Sequence, residues 1–284
     1  MTTKEQLIDK LLELSFAEDI GDGDHTTLST IPADAMGRQH LLVKEEGVLA
    51  GVEIAKMVFA KFDPSLKMTV MINDGAHVKP GDIAFVVEGP VRSLLQTERL
   101  MLNIMQRMSG IATTTTRYQK QLEGLNCKVL DTRKTTPGMR ILEKEAVKIG
   151  GGYNHRIGLF DMILIKDNHV DFAGGIPQAV ARAKEYCKQN NKNLRIEQEV
   201  RNEEEIQQAI DAGVDRIMLD NFTPERTAKA VAIIRAQAPG IEIESSGGIT
   251  FDTLRSYGEA GVDFISVGAL THSVKGLDLS FKAC

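Results

Sequence analysis

LRIEQEVRNEEEIQQAIDAGVDRIMLDNF, residues 194–222, reads as a short strand, a helix and a second short strand. The apolar strand candidates at 194–198 and 216–219 are separated by a helical segment, and two strands joined this way pair in parallel because the chain must cross back between them. The same texture continues on both sides. Strand candidates recur at 127–130 (CKVL), 162–165 (MILI), 241–243 (IEI) and 263–267 (DFISV), with helical segments between, and a further short strand is predicted at 146–149 (AVKI). Repeated units of this kind imply a parallel sheet, and the even spacing of the last four strands favours closure into a barrel.

Before this region the period changes. Ile8, Leu11, Leu12 and Leu14 fit one face of an opening helix that stops before the loop EDIGDGDHTT at 18–27. Residues 38–51 and 68–91 read as short strands punctuated by Gly- and Pro-containing turns, with a helix near 52–62, which makes an α+β module. From Ser93 a long apolar-periodic stretch reads as helix, bent near Ser109-Gly110, and leads into the second region. The acidic loop places Asp22, Asp24 and His25 together, but without a distant third ligand it reads as a capped loop rather than a metal site.

The chain has 284 residues, enough for one large domain or two ordinary ones, and a formal charge of −5. That balance argues against a nucleic-acid-binding surface, so any anionic ligand has to be met by a local cationic pocket. Cys127, Cys187 and Cys284 are odd in number and widely spaced, which excludes a disulfide framework or a cysteine zinc site and fits a reducing cytoplasm. No signal peptide is evident, and no apolar run approaches the roughly 18 residues of a membrane span.

In a β/α barrel the chemistry sits where strands end, so the residues after each apolar run carry the functional reading. The run ending at Leu130 delivers Asp131, Arg133 and Lys134. MILI delivers Lys166, Asp167, Asn168 and His169, the next strand Glu199, and the fourth Asp220 and Asn221. The last two deliver Ser245-Ser246-Gly247-Gly248 and Gly268-Ala269, glycine turns whose N–H groups suit phosphate. Glu199 and Asp220 would face one another, able to hold Mg²⁺ by oxygen ligands or to steady a developing positive charge. Three glycines at 150–152 precede His155 and Arg156, where an arginine can grip a carboxylate in a bidentate fork. Singly, each of these residues also reads as a loop charge, a cap or a core histidine; together they describe a mouth built for several anionic groups.

The ordered motifs DTRKTTPG (131–138), GGGYNHRIGL (150–159), LIKDNHV (164–170), IEQEV (196–200), LDNF (219–222), ESSGGI (244–249) and SVGALTHS (266–273) resemble those of the quinolinate phosphoribosyltransferase family. EDIGDGDHTT and ERLMLNIMQRMSGIAT look like that family's N-terminal motifs. The resemblance implies an α/β fold. An N-terminal α/β sandwich, 1–110 joined by 275–284, would accompany an incomplete barrel of about seven strands over 111–274. It implies a homodimer with shared active sites, in which Arg99 of ERLMLN reaches the partner's site. By the same matching, Arg133, His155, Arg156 and Lys166 form the pocket for two quinolinate carboxylates. Lys134, Glu199, Asp220, Ser246, Gly247, Gly248, Gly268 and His272 match the positions that hold phosphoribosyl pyrophosphate and its Mg²⁺, with Lys134 and Lys166 serving both substrates. Gln198 departs from the pattern, standing where an apolar residue is usual; no functional change is attached to it.

The reaction so implied is transfer of phosphoribosyl to the quinolinate nitrogen, with loss of pyrophosphate and then of CO₂, in de novo NAD biosynthesis. Lys134, Lys166, Glu199 and Asp220 would be its catalytic residues. Three rivals stay open: a divergent relative acting on another anionic heterocycle, a Schiff-base barrel aldolase using Lys166, and a ligand sensor without turnover.

Overall fold

The computed structural model describes residues 3–284. In chain order the elements begin with α1 (Lys4–Ile20), α2 (His25–Thr30), β1 (Met36–Val43), β2 (Gly47–Val48), α3 (Val52–Phe62), β3 (Lys67–Val70), β4 (His77–Val78), β5 (Ile83–Pro90) and the long α4 (Val91–Gln121). They continue through β6 (Lys128–Leu130), α5 (Arg140–Ile149), β7 (Ile163–Ile165), α6 (Asp167–Ala173), α7 (Ile176–Gln189), β8 (Ile196–Val200), α8 (Glu203–Ala212), β9 (Arg216–Asp220) and α9 (Pro224–Gln237). The last are β10 (Glu242–Ser246), α10 (Leu254–Glu259), β11 (Phe264–Ser266), α11 (Ala269–His272) and β12 (Leu279–Ala283). The chain forms two compact units: one comprises residues up to Thr116 with Thr135–Gly151 and Ala269–Cys284, the other Arg117–Lys134 and Gly152–Gly268.

In the first unit an antiparallel sheet runs in the order β12-β1-β5-β3. The C-terminal strand β12 is locked into it by a core of three rings, Phe59, Phe85 and Phe281, with centroids 6.1–6.3 Å apart. α1 starts in a capping box, Thr3 Oγ1 accepting from Gln6 N–H and Gln6 Oε1 from Thr3 N–H. Its Ile8 and Leu12 are buried, whereas Leu14, predicted on the same face, is 67% exposed. Two residues beyond Leu12 is more than half a helical turn, which carries Leu14 off the stripe.

One further expectation changes here. AVKI at 146–149 is the end of α5, not a strand: Leu142, Glu143, Ala146 and Val147 are buried at helical spacing, and four apolar-leaning residues alone do not separate the two periods. α4 runs unbroken through Ser109-Gly110. Gly110 serves close approach, since a Cβ there would strike the Lys275 carbonyl of the returning C-terminal segment.

In the second unit six strands form a parallel sheet in the order β6-β11-β10-β9-β8-β7. The strand that comes first in sequence thus pairs with the last, and a single bridge from Tyr153 to Leu130 flanks β6 on its other side. Six strands and one bridge replace the seven expected, and among the described residues no ladder joins the Tyr153 segment to β7. Side chains alternate along each strand. Ile196, Gln198 and Val200 of β8, Ile217 and Leu219 of β9, and Ile243 and Ser245 of β10 share one face parity, and all are buried. The opposite parity carries Glu197 and Glu199, Arg216 and Asp220, Glu242, Glu244 and Ser246. One face of β8, β9 and β10, all largely buried, is therefore mostly charged, with Met218 among the charges.

Candidate active site

The C-terminal strand ends of the second unit gather most of the expected residues. Lys166, directly after β7, points its Nζ to within 2.6 Å of Glu199 Oε2 at the end of β8. Lys166 is 46% exposed while Glu199 is only 7% exposed, so the cation sits on the solvent side and the carboxylate on the core side. The Asp167 N–H also donates toward Glu199 Oε1. Asp220 stands one strand further along; burial first, and then the neighbouring Glu199 charge, raise its carboxyl above the ordinary range. Asn221 Nδ2 donates to Asp220 Oδ2 at 2.8 Å, and Asn221 holds a left-handed φ of 55°.

Ser246 lies in register with Asp220, and the Asn221 N–H donates to the Ser246 carbonyl. Gly247 follows with φ +94°, and a Cβ there would collide with the Asn221 side chain and backbone. Gly247→Ala is therefore expected to displace Asn221 and the turn together, at a cost of about 1–3 kcal/mol of stability. Urea unfolding of the variant beside the parent checks it. Gly248 continues the turn at φ +61°. Gly268 follows β11, whose end is tied to β6 by the Val267 N–H donating to Leu130 O.

Arg133 and Lys134 lie exposed on the loop after β6, anchored by the Lys134 N–H donating to Thr132 Oγ1. Burial, and next the Arg133 charge, disfavour the charged form of Arg156, so the two guanidinium groups share one region. His155 is buried. Gln198 falls on the other strand parity and donates to the Glu199 carbonyl at 2.7 Å, so its difference from an apolar residue leaves the mouth unaltered.

Arg99 and His272 belong to the first unit. Arg99 is exposed on α4 and lines an open cavity of about 460 Å³ with Glu18, Asp19 and Arg107. His272 closes α11, its Nδ1 2.7 Å from Ser273 Oγ. The EDIGDGDHTT loop uses Asp24 as the cap of α2, its Oδ1 accepting from Thr27 N–H.

Sequence reasoning missed the layer one step deeper. Glu197, Arg216 and Glu244 are buried between the strands, two residues or more before the mouth positions of the same parity. Arg216 donates to Glu242 Oε2 at 2.9 and 2.8 Å and to Glu244 Oε2 at 3.0 Å, with its guanidinium carbon 4.3 Å from the Phe264 ring centroid. The available signal was the period-two repeat of charge in IEQEV and EIESS.

Burial above all, and then Glu197, push the Glu244 carboxyl up to about 8. Folded protein then keeps a proton that unfolded chain releases above its ordinary value near 4.5. Stability contributed by this group is therefore fully present at low pH and is lost as pH rises toward 8, at up to about 1.4 kcal/mol per pH unit. Glu244→Gln should flatten the urea midpoint between pH 5 and 8, which is read by comparing the two proteins across that range.

The family model for "Quinolinate phosphoribosyl transferase, C-terminal domain" matches residues 111–282, and that for its N-terminal domain matches residues 24–109. A Nicotiana tabacum protein named quinolinate phosphoribosyltransferase [decarboxylating] 1b is 43% identical, covering 96% of this chain and 81% of its own length. The probable nicotinate-nucleotide pyrophosphorylase [carboxylating] of Bacillus subtilis is 42% identical, covering 95% of this chain and 91% of its own. Among solved structures, the nicotinate-nucleotide pyrophosphorylase from Francisella tularensis superposes with a TM-score of 0.91 at 40% identity, covering 100% of this chain and 98% of that one. With both family models and full-length relatives aligned over the strand ends just described, the chain belongs to the quinolinate phosphoribosyltransferase family.

Proposed function

We propose that this enzyme transfers the 5-phosphoribosyl group from phosphoribosyl pyrophosphate to the ring nitrogen of quinolinate, releasing pyrophosphate and CO₂ and forming nicotinate mononucleotide for de novo NAD biosynthesis. The observation that carries the reading is one set of strand ends holding two kinds of charge. Arg133 and Arg156 share one region, and the Lys166–Glu199 pair lies beside Asp220.

Arg133, Arg156 and Lys166, with His155 beside them, suit a ligand with two adjacent carboxylates, because bidentate guanidinium contacts fix both position and plane. Lys134, Ser246, Gly247, Gly248 and Gly268 serve the phosphates of the donor, the glycine turns through backbone N–H groups. As pyrophosphate leaves, positive charge grows on the ribose carbon; Glu199 and Asp220 stabilise it while Lys134 and Lys166 offset charge on the leaving group. The carboxylate next to the quaternised nitrogen then departs as CO₂, its bonding electrons stay on the ring carbon, and that carbon takes up a proton. The residues' part in this step is orientation.

Mg²⁺ fits the donor set: Glu199 and Asp220 offer hard oxygens, and the Asp220 carboxyl is raised first by burial and then by the Glu199 charge, a repulsion that a cation would relieve. When bound with the donor it would neutralise pyrophosphate charge. The homodimer with shared sites, Arg99 entering the partner's site, and a cytoplasmic location complete the proposal. Its support is the exposure of Arg99, the family match and, for the location, three widely spaced cysteines without a pairing pattern.

Purified protein with Mg²⁺, phosphoribosyl pyrophosphate and carboxyl-labelled quinolinate is expected to release CO₂ and pyrophosphate in equal amounts; no labelled CO₂ would refute the reading. Arg133→Ala should weaken quinolinate binding by about 1.5–3 kcal/mol, since a charged acceptor loses its partner, while donor binding changes far less. Equal losses for both ligands would contradict that division.

A further inference from the structure

His155 is tied at three points. Its backbone N–H donates to Oδ1 of the fully buried Asp131 at 2.9 Å. Its ring Nδ1 accepts the backbone N–H of Arg156 at 2.8 Å. Nε2 lies 2.9 Å from Glu197 Oε2 and 3.5 Å from Glu244 Oε2, off the axis of a fully aligned bond and shared between the two carboxyl groups. A ring nitrogen that accepts carries no proton, so the hydrogen-bond network assigns the neutral ring its proton on Nε2, facing the carboxyl pair.

The ligand atoms of His155, Glu197 and Glu244 all lie within 4.8 Å of one another, a spacing that would suit a metal ion. The tautomer argues against that use. A metal would take the Nε2 lone pair and leave the ring proton on Nδ1, where the Arg156 N–H already points. Arg216, 3.0 Å from Glu244, supplies positive charge to the cluster instead. The cluster lies inside the sheet, and its hydrogen-bonded exit runs through the imidazole to the main chain of Arg156, beside a direct attraction of the Glu197 charge for the Arg156 guanidinium.

That exit matters because Arg156 has a like-charged neighbour. Its guanidinium donates to the Met162 carbonyl at 3.3 Å, but burial and Arg133 work against its charge by more than Glu197 and Asp161 favour it. Left to itself, the side chain would relax away from Arg133 and toward water. A fixed backbone at Arg156 limits that freedom.

We propose that Glu197 and Glu244, braced by Arg216, are positioning residues that act through His155: they hold its ring so that the Arg156 main chain stays fixed and its guanidinium is aimed at one carboxylate of the substrate. The identity of that substrate as a dicarboxylate rests on the function proposed above. His155 itself is given a holding role, its Nδ1 accepting from the Arg156 main chain and its Nε2 facing the buried carboxyl pair. The three residues contribute to substrate affinity without touching the substrate.

Glu197→Gln keeps the side chain's size and tests this directly. By calorimetry, quinolinate affinity is expected to fall about tenfold or more, while phosphoribosyl pyrophosphate affinity stays within about twofold. Equal losses for both ligands, or unchanged quinolinate affinity, would overturn the proposal. The unaltered protein supplies a second readout that needs no variant: ¹⁵N NMR should show His155 as the Nε2-protonated tautomer, and protonation at Nδ1, alone or with Nε2, would overturn it. Should the unaltered protein fail to bind quinolinate at all, the functional reading falls, while the tautomer still decides whether the positioning network exists.

Discussion

Lys166→Met is expected to lower kcat by about 10²–10³ while leaving the protein folded. Its ammonium is nearly half exposed, and methionine preserves much of the apolar stem, so little packing is lost. What disappears is the positive charge 2.6 Å from Glu199 Oε2. That charge does three things in the proposed reaction: it meets a quinolinate carboxylate, offsets the leaving pyrophosphate and keeps the Glu199 carboxylate aimed into the mouth. The last two effects grow as charge separates, so the loss shows in kcat beside a rise in the quinolinate KM. Steady-state kinetics with each substrate varied, alongside a melting curve, separates the cases; a rise in KM with kcat intact would show that Lys166 only binds.

Lys166 could be found from sequence because an unpaired charge right after Met162-Ile163-Leu164-Ile165 stands at the edge of a packed strand. Asp220 after Ile217-Met218-Leu219 was legible on the same ground. The strands themselves were legible because β8, β9 and β10 are buried on both sides and bounded by helices of clear period. Glu197, Arg216 and Glu244 lay inside those strands, where the usual expectation is an apolar residue, and only three-dimensional register shows that one compensates another. AVKI failed for a related reason, a run too short to carry a period. Leu14 failed because an apolar residue adjacent to a stripe need not be on it.

The deep layer sets the largest stability effect. Arg216→Met is expected to destabilise the fold by about 3–5 kcal/mol, because removing one partner leaves buried carboxyl groups without their cation. Arg216 holds Glu242 through two donors and Glu244 through a third, and burial on its own would favour losing its charge; the Glu197, Glu244 and Glu242 charges outweigh that and hold its pKa up. Methionine can occupy the space against Phe264 but offers no donor. Glu244 can answer by retaining its proton, whereas Glu242, partly exposed, keeps Arg195 2.7 Å from its Oε2. The heavier burden therefore falls on Glu197: it is fully buried, burial already raises its carboxyl and Arg216 is the main charge opposing that, so without Arg216 it is driven to take up a proton at a cost that grows with pH. It follows that Glu197→Gln in the Arg216→Met background should recover part of the loss, although each change alone removes a charge from the same network. Urea unfolding of the two single variants and the double gives the coupling. A single Arg216→Met variant within about 1 kcal/mol of the parent would mean that water, not Arg216, already compensates those carboxylates.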